Sequence, residues 1–148
     1  MAWPGVERIE VPLAAGKPLF GTGAGDVKGV GTDIVAIERL ARSIRRRPAF
    51  LSAVFSDEER LYCEAQARPE QHYAARFAAK EAFLKAVGRG VFGGVALRDI
   101  EVVREADRGP VLRFGATATD ALSAVGAVEA LVSLSHDGDI ALAFVVVK

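Results

Sequence analysis

Arg76-Phe77-Ala78-Ala79-Lys80-Glu81-Ala82-Phe83-Leu84-Lys85-Ala86-Val87-Gly88 is the stretch from which the rest of the chain can be worked out. Alanine, leucine, lysine and glutamate dominate it, and no proline or β-branched residue interrupts it before Val87. Gly88 stands where a left-handed C-terminal cap falls, so the stretch reads as a helix. At about 3.6 residues per turn, Phe77, Glu81 and Lys85 form one stripe and Lys80 lies about a quarter turn away. A carboxylate and two amines are therefore expected on one side. Taken alone, Glu81 and Lys85 at i,i+4 read equally well as a solvated ion pair worth a few tenths of a kcal/mol.

Its surroundings bear on the choice. The 148 residues suffice for one domain with a core of its own, burying roughly two thirds of the unfolded surface. With 19 basic and 19 acidic residues the chain has no net charge. Neither nucleic acid nor a membrane surface is an expected partner, and electrostatic recognition must come from a local cluster such as Arg39 to Arg47. Cys63 is the only cysteine. It excludes a disulfide framework, has no neighbours at zinc-ligand spacing, and fits a reducing, cytoplasmic setting as a buried thiol. No apolar run reaches the ~18 residues of a membrane span, and the N-terminus lacks the pattern of a signal peptide.

Residues 1–27 mix prolines and glycines with one alternating piece, Val6 to Val11, and read as a leader with at most one edge strand; the domain is expected over 28–148. Val27 to Val35 reads as a strand in which Gly29 and Gly31 allow close backbone approach. It carries Asp33 inward, where a carboxylate needs a cation or several donors, unless it merely caps the following helix. From Ala36 the period turns helical, with Ile37, Leu40, Ala41 and Ile44 inside and Arg39, Arg42, Arg45 and Arg46 outside, until Pro48 stops it. Phe50, Leu51 and Val54 form a short buried turn. Ser56 to Glu59 is a capping box that opens a helix to about Gln66, and Pro69 opens the long helix through Val87.

After the glycine-rich loop from Gly88 to Gly94, Asp99 to Val103 and Val111 to Phe114 pair as a hairpin about Asp107 to Pro110. Ala116 to Val125 is helical. Ala130 to His136 and Ile140 to Val147 form the clearest hairpin, turning at Asp137-Gly138-Asp139. The apolar strands Val132 to Leu134 and Ala141 to Val147 are expected to offer surface for a symmetric interface. The fold class is α+β, an antiparallel sheet packed against helices.

Asp33, the Glu81/Lys85 stripe, the glycine-rich loop and His136 at a strand end lack a joint structural reason. Two carboxylates on separate elements can share Mg²⁺, which keeps several waters and binds substrate phosphates, with lysines meeting the rest of a pyrophosphate. His136 alone is as readily a structural histidine.

Gly31-Thr32-Asp33-Ile34-Val35 with Ile37-Glu38-Arg39-Leu40, then Phe55-Ser56 with Glu59, the Arg76 to Gly88 stretch, Asp99-Ile100-Glu101-Val102 and Ser133-Leu134-Ser135-His136-Asp137 occur in that order and at spacings that closely resemble the holo-[acyl-carrier-protein] synthase family. That family is the small single-domain branch of the 4'-phosphopantetheinyl transferases. The resemblance spans about residues 28–148. It implies transfer of the phosphopantetheine arm of coenzyme A to a serine of an acyl carrier protein, releasing 3',5'-ADP, by a homotrimer with sites at its interfaces. By position it makes Asp33 and Glu81 the Mg²⁺ ligands and Lys85 the phosphate-binding lysine. The serine must also lose a proton, for which Glu81, directly or through a metal-bound water, is the nearest base. Arg76, Lys80 and Gly88 fall at the coenzyme, as does His136, reaching across a subunit boundary. Arg39, Arg45, Arg46 and Arg47 fall on the helix that meets the carrier protein. The leader has no counterpart in this pattern, and Phe92 to Leu97 lacks a tryptophan common there. Two other readings compete: an oligomer that binds coenzyme A and Mg²⁺ without catalysis, and a docking module that uses only the arginine helix.

Overall fold

A computed structural model describes residues 26–90, 93–106 and 109–148. The leader's Val6 to Val11 strand, Val91 and Phe92 of the glycine-rich loop, and Asp107 and Arg108 of the first hairpin turn lie outside the described residues. In chain order the elements are β1 (Gly29–Ala36), α1 (Ile37–Arg46), α2 (Ala49–Val54), α3 (Asp57–Glu64), α4 (Pro69–Ala86), a 3-10 turn (Leu97–Asp99), β2 (Ile100–Glu105), β3 (Gly109–Phe114), α5 (Ala116–Ala124), β4 (Ala130–Asp137) and β5 (Ile140–Val147). The expected α+β architecture is present, with the antiparallel strands divided between a β1-β5-β4 sheet and a separate β2-β3 pair.

The local rules hold where the chain has no competing demand. Ser56 and Glu59 make the reciprocal capping box of α3. Gly88 takes φ +66 beyond the end of α4, and Gly138 takes φ +52 in the β4–β5 turn, both in the left-handed region that costs glycine little. The piece expected as a buried turn is the six-residue α2, whose Phe50 and Leu51 are half-buried and whose Val54 is buried.

Helix α4 lies across the β1-β5-β4 sheet, and small residues set their separation. Ala74, Ala78, Ala79 and Ala82 have no exposure. Beneath them, a Cβ added at Gly31 would stand 1.9 Å from the Ala82 carbonyl oxygen, and one at Gly29 would stand 1.9 Å from that of Ala86. Helix backbone thus rests directly on strand backbone, the close approach for which glycine was expected. On the other flanks Phe83 meets Phe114 with ring centroids 4.8 Å apart, and Phe55 meets Tyr73 at 4.8 Å. The fully buried rings of Phe83 and Phe55 contribute about 1.5–3 kcal/mol each by leaving water.

The sheet's other face is open. Register aligns Val30 with Val146 and Leu131, Thr32 with Phe144 and Ser133, and Ile34 with Leu142 and Ser135. Val30, Ile34, Leu131, Ile140 and Phe144 are exposed on it. This corrects the surface expected from the strand segments as wholes. Alternate members, Ala141, Ala143, Val145 and Val147, are buried beneath α4, and Val132 and Leu134 are half-buried on that side, because strand side chains alternate between faces.

Candidate active site

Strand β1 and helix α4 bring three expected residues together. Asp33 projects from the α4-facing side of β1, and Lys85 Nζ donates to its Oδ1 at 2.7 Å and to the Thr32 carbonyl at 2.9 Å. The carboxylate therefore meets the cation that its position demanded. The helix-cap alternative is excluded, because the N-cap of α1 is Ala36, with no side-chain cap bond. Glu81, one turn before Lys85, lines with Asp33 a pocket of about 440 Å³ that Arg39, Leu40, Phe50, Phe77 and Leu97 also line. Among the described residues Glu81 has no hydrogen-bond or ion-pair partner. Burial first, then the Asp33 charge, push its pKa above the ordinary value, while Lys85 pulls it back.

This donor set suits a hard divalent cation. Two carboxylates repel across one pocket, one of them unpartnered, and a single half-exposed ammonium offsets them incompletely. No group of three or more His, Cys, Asp or Glu that could hold a metal occurs among the described residues, so a closed protein cage is not what is built. A site that leaves most coordination positions to water or phosphate fits Mg²⁺ better than zinc.

Lys80 requires a correction. The side expected to carry one carboxylate and two amines carries Glu81 and, of the amines, only Lys85. Lys80 is fully buried, its Nζ bonded to Glu59 Oε2 at 2.9 Å, to the Leu97 carbonyl at 3.0 Å and to the Ile100 carbonyl. A quarter turn separates the solvent-facing stripe from the interior, and Lys80 falls on the interior side. Desolvation lowers its pKa, and Glu59 opposes that shift. It has no route to a coenzyme from there. Glu59 is the residue that sequence reasoning underread: the capping box was legible, while its buried pairing with Lys80 was not.

Arg76 is also buried, 4% exposed, yet is differently placed. Its guanidinium lies 4.1 Å over the Tyr62 ring, its Nη1 reaches the His72 carbonyl at only 3.5 Å, and its buried Nε has no partner among the described residues. Arg76 and Arg104 line a pocket of about 240 Å³ with Tyr62 and Val102. Glu58 lines the same pocket. Burial lowers the His72 pKa, the Arg76, His136 and Arg104 charges lower it further, and Glu70 opposes them. Arg76 precedes Glu81 by five residues, about 140° around α4, and the two line different pockets. Within one chain, Arg76 is thus set apart from the Asp33 and Glu81 carboxylates, and His136 lines neither pocket.

On α1, Glu38 ties Arg45 at 2.8 Å and approaches Arg42 at 3.9 Å, whereas Arg39, Arg46 and Arg47 have no ion-pair partner among the described residues. Gly88 stays exposed at the end of α4, with open space around it. Cys63 is fully buried, and burial pushes its thiol up to about 12, which leaves it inert.

A carboxylate pair beside a half-exposed lysine, with a separate arginine-lined pocket on the same helix, suits a transferase that handles phosphate groups. The family model described as the 4'-phosphopantetheinyl transferase superfamily matches residues 29–145. A holo-[acyl-carrier-protein] synthase from Syntrophotalea carbinolica is 43% identical over 121 residues, 81% of this chain and 94% of the relative. The crystal structure of the Neisseria meningitidis holo-[acyl-carrier-protein] synthase superposes with a TM-score of 0.75 at 36% identity, covering 83% of this chain and 99% of that one. That of the Helicobacter pylori synthase in complex with coenzyme A gives 0.69 at 28% identity, covering 80% and 99%. The chain belongs to the holo-[acyl-carrier-protein] synthase family.

Proposed function

We propose that this chain transfers 4'-phosphopantetheine from coenzyme A to a serine hydroxyl of an apo acyl carrier protein, releasing 3',5'-ADP, with Mg²⁺ bound by Asp33 and Glu81. The observation that carries the reading is the unpartnered Glu81 facing Asp33 with Lys85 at hand. It is supported by the holo-[acyl-carrier-protein] synthase names of its relatives and by the coenzyme A complex of a structural neighbour.

In this reaction the serine oxygen attacks the phosphorus bonded to the pantetheine oxygen. The diphosphate bridge breaks on the side of that phosphorus, and the bridging oxygen leaves with 3',5'-ADP. Glu81, the unpartnered carboxylate of the pocket, accepts the serine proton. Lys85, held only by Asp33 and one carbonyl, can turn to the phosphates and neutralise charge that grows as the bridge breaks. Mg²⁺, held by the two carboxylates, would supply further neutralisation at the diphosphate oxygens. Arg76, with its orphaned Nε, and His136 with His72 and Arg104 suit another anionic part of the coenzyme. The buried thiol agrees with a reducing, cytoplasmic setting, and no described helix is long and apolar enough to cross a membrane.

Assembly follows from two features. The open apolar face carrying Val30, Ile34, Leu131 and Phe144 calls for cover, and the pocket that holds the carboxylates includes no His136 of its own chain. In a homotrimer of domains 28–148 one chain's His136 serves its neighbour's carboxylates. A His136→Ala chain mixed with a Glu81→Ala chain then regains activity that neither has alone, and an active monomer in sedimentation contradicts this arrangement.

Incubated with coenzyme A, Mg²⁺ and an apo carrier protein, the enzyme adds one phosphopantetheine group, seen by intact mass, and releases 3',5'-ADP in equal amount. Coenzyme binding without modification of any apo carrier from its own cell returns the binding-only reading. Arg39, Arg46 and Arg47, with Arg45 once freed from Glu38, face the carrier. Reversing Arg46 and Arg47, which lie outside the carboxylate pocket that Arg39 lines, to glutamate raises the KM for carrier by about tenfold or more and leaves that for coenzyme A nearly unchanged. Equal loss for both substrates would instead indicate damaged folding.

A further inference from the structure

The buried pair behind the site has no part in the chemistry described above. Lys80 Nζ donates to Glu59 Oε2 and to the carbonyls of Leu97 and Ile100, and the Glu59 carboxylate accepts from the backbone N–H groups of Ser56 at 2.9 Å and Val102 at 3.0 Å. These five bonds join the start of α3, the middle of α4, the 3-10 turn and the start of β2 at one point with almost no exposure. Stability is a weak reason for such a pair, since desolvating two charges offsets most of their attraction and apolar pairs of similar volume often hold a fold as well. Its position suggests another reason. Glu81 follows Lys80 directly, and Leu97, whose carbonyl Lys80 holds, lines the same pocket as Asp33 and Glu81.

We infer that Lys80 and Glu59 are positioning residues for the transfer reaction: their buried ion pair sets the rotation of α4 and the seat of Leu97, so that Glu81 faces Asp33 and the reacting phosphate. The geometry is sensitive to small turns. With side-chain tips about 5–6 Å from the helix axis, a rotation of about 10° moves a carboxylate by about 1 Å. A displacement of that size can cost about 100-fold in rate. The inference rests on the transferase reading, and the experiment separates the two.

Transfer to an apo carrier is measured for the parent protein, for Lys80→Met and for the double variant Glu59→Leu/Lys80→Met, at a temperature where circular dichroism shows each folded. Lys80→Met, which leaves the Glu59 charge buried and alone, has a lowered melting temperature and a kcat down by about 100-fold, with KM for coenzyme A and for carrier within about threefold of the parent. The double variant recovers melting temperature and stays slow. A double variant that melts like the parent and turns over within about threefold of it shows the pair to be structural only and overturns the inference. Should neither variant fold, Lys80→Arg keeps the charge while shifting its donors: a kcat lowered about tenfold at unchanged KM supports the positioning role, and a parent-like kcat overturns it. A parent that never modifies carrier strikes the transferase reading, whereas an active parent beside a fast double variant strikes only the positioning role.

Discussion

Asp33→Asn and Glu81→Gln each lower the transfer rate by about 100- to 1,000-fold in the presence of Mg²⁺, with far-ultraviolet circular dichroism unchanged. On the proposed reading the loss belongs to the rate, because both carboxylates would stand where charge develops, and they line a pocket separate from that of Arg76. The two variants differ in stability. A raised folded-state pKa means that the native protein binds the Glu81 proton more tightly than the unfolded chain does. The stability this confers is present below the unfolded pKa and is lost as pH rises through the folded value, so above that value the charged Glu81 is a burden. In metal-free buffer at pH 7, Glu81→Gln therefore melts no lower than the parent. Asp33→Asn, which removes the Lys85 partner, melts slightly lower, by less than about 1 kcal/mol because Lys85 is half-exposed. Near-parental turnover of either variant in Mg²⁺ refutes the assignment of these carboxylates.

Gly31→Ala melts about 10 °C below the parent, corresponding to about 3 kcal/mol for a chain of this size. The added Cβ would meet the Ala82 carbonyl oxygen at 1.9 Å and the Ala86 nitrogen at 2.7 Å, and all of these are backbone atoms that no rotamer change can move. Relief requires lifting α4 from β1, which also carries Glu81 away from Asp33. The folded fraction accordingly loses turnover beyond what unfolding explains. Gly88→Asn is the control, since Gly88 takes a left-handed φ with open space around it and asparagine tolerates that conformation best after glycine. It melts within about 1 kcal/mol of the parent. A Gly31→Ala protein as stable as the parent would show that α4 does not rest on β1 as described.

Some features were legible because their causes are local. The capping box at Ser56, the long helix from Pro69, the left-handed Gly88 and the Ile140–Val147 hairpin strand depend on residues within a few positions of one another. The site itself was partly legible. Glu81 and Lys85 share a helix stripe by arithmetic, and Asp33 called for a cation because an isolated carboxylate on a packed strand is costly. That Lys85 supplies this cation, across 52 residues of chain, could not be read from either segment alone.

The sequence alone therefore determined the elements, their α+β class, the family to which the ordered motifs belong and the identity of the two facing carboxylates. Tertiary structure decided which neighbour of Glu81 faces inward. Lys80 and Lys85 are the same residue type on one helix, yet one is fully buried and the other half-exposed. What separates them is Glu59, 21 positions before Lys80, together with carbonyls 17 and 20 positions after it, which turn a lysine-sized gap in the core into a site that accepts a charge. Strand register likewise decided which residues of β4 and β5 remain open to a partner. A hydrophobic run of period two shows that one face is buried, but only the helix that lies on it decides which.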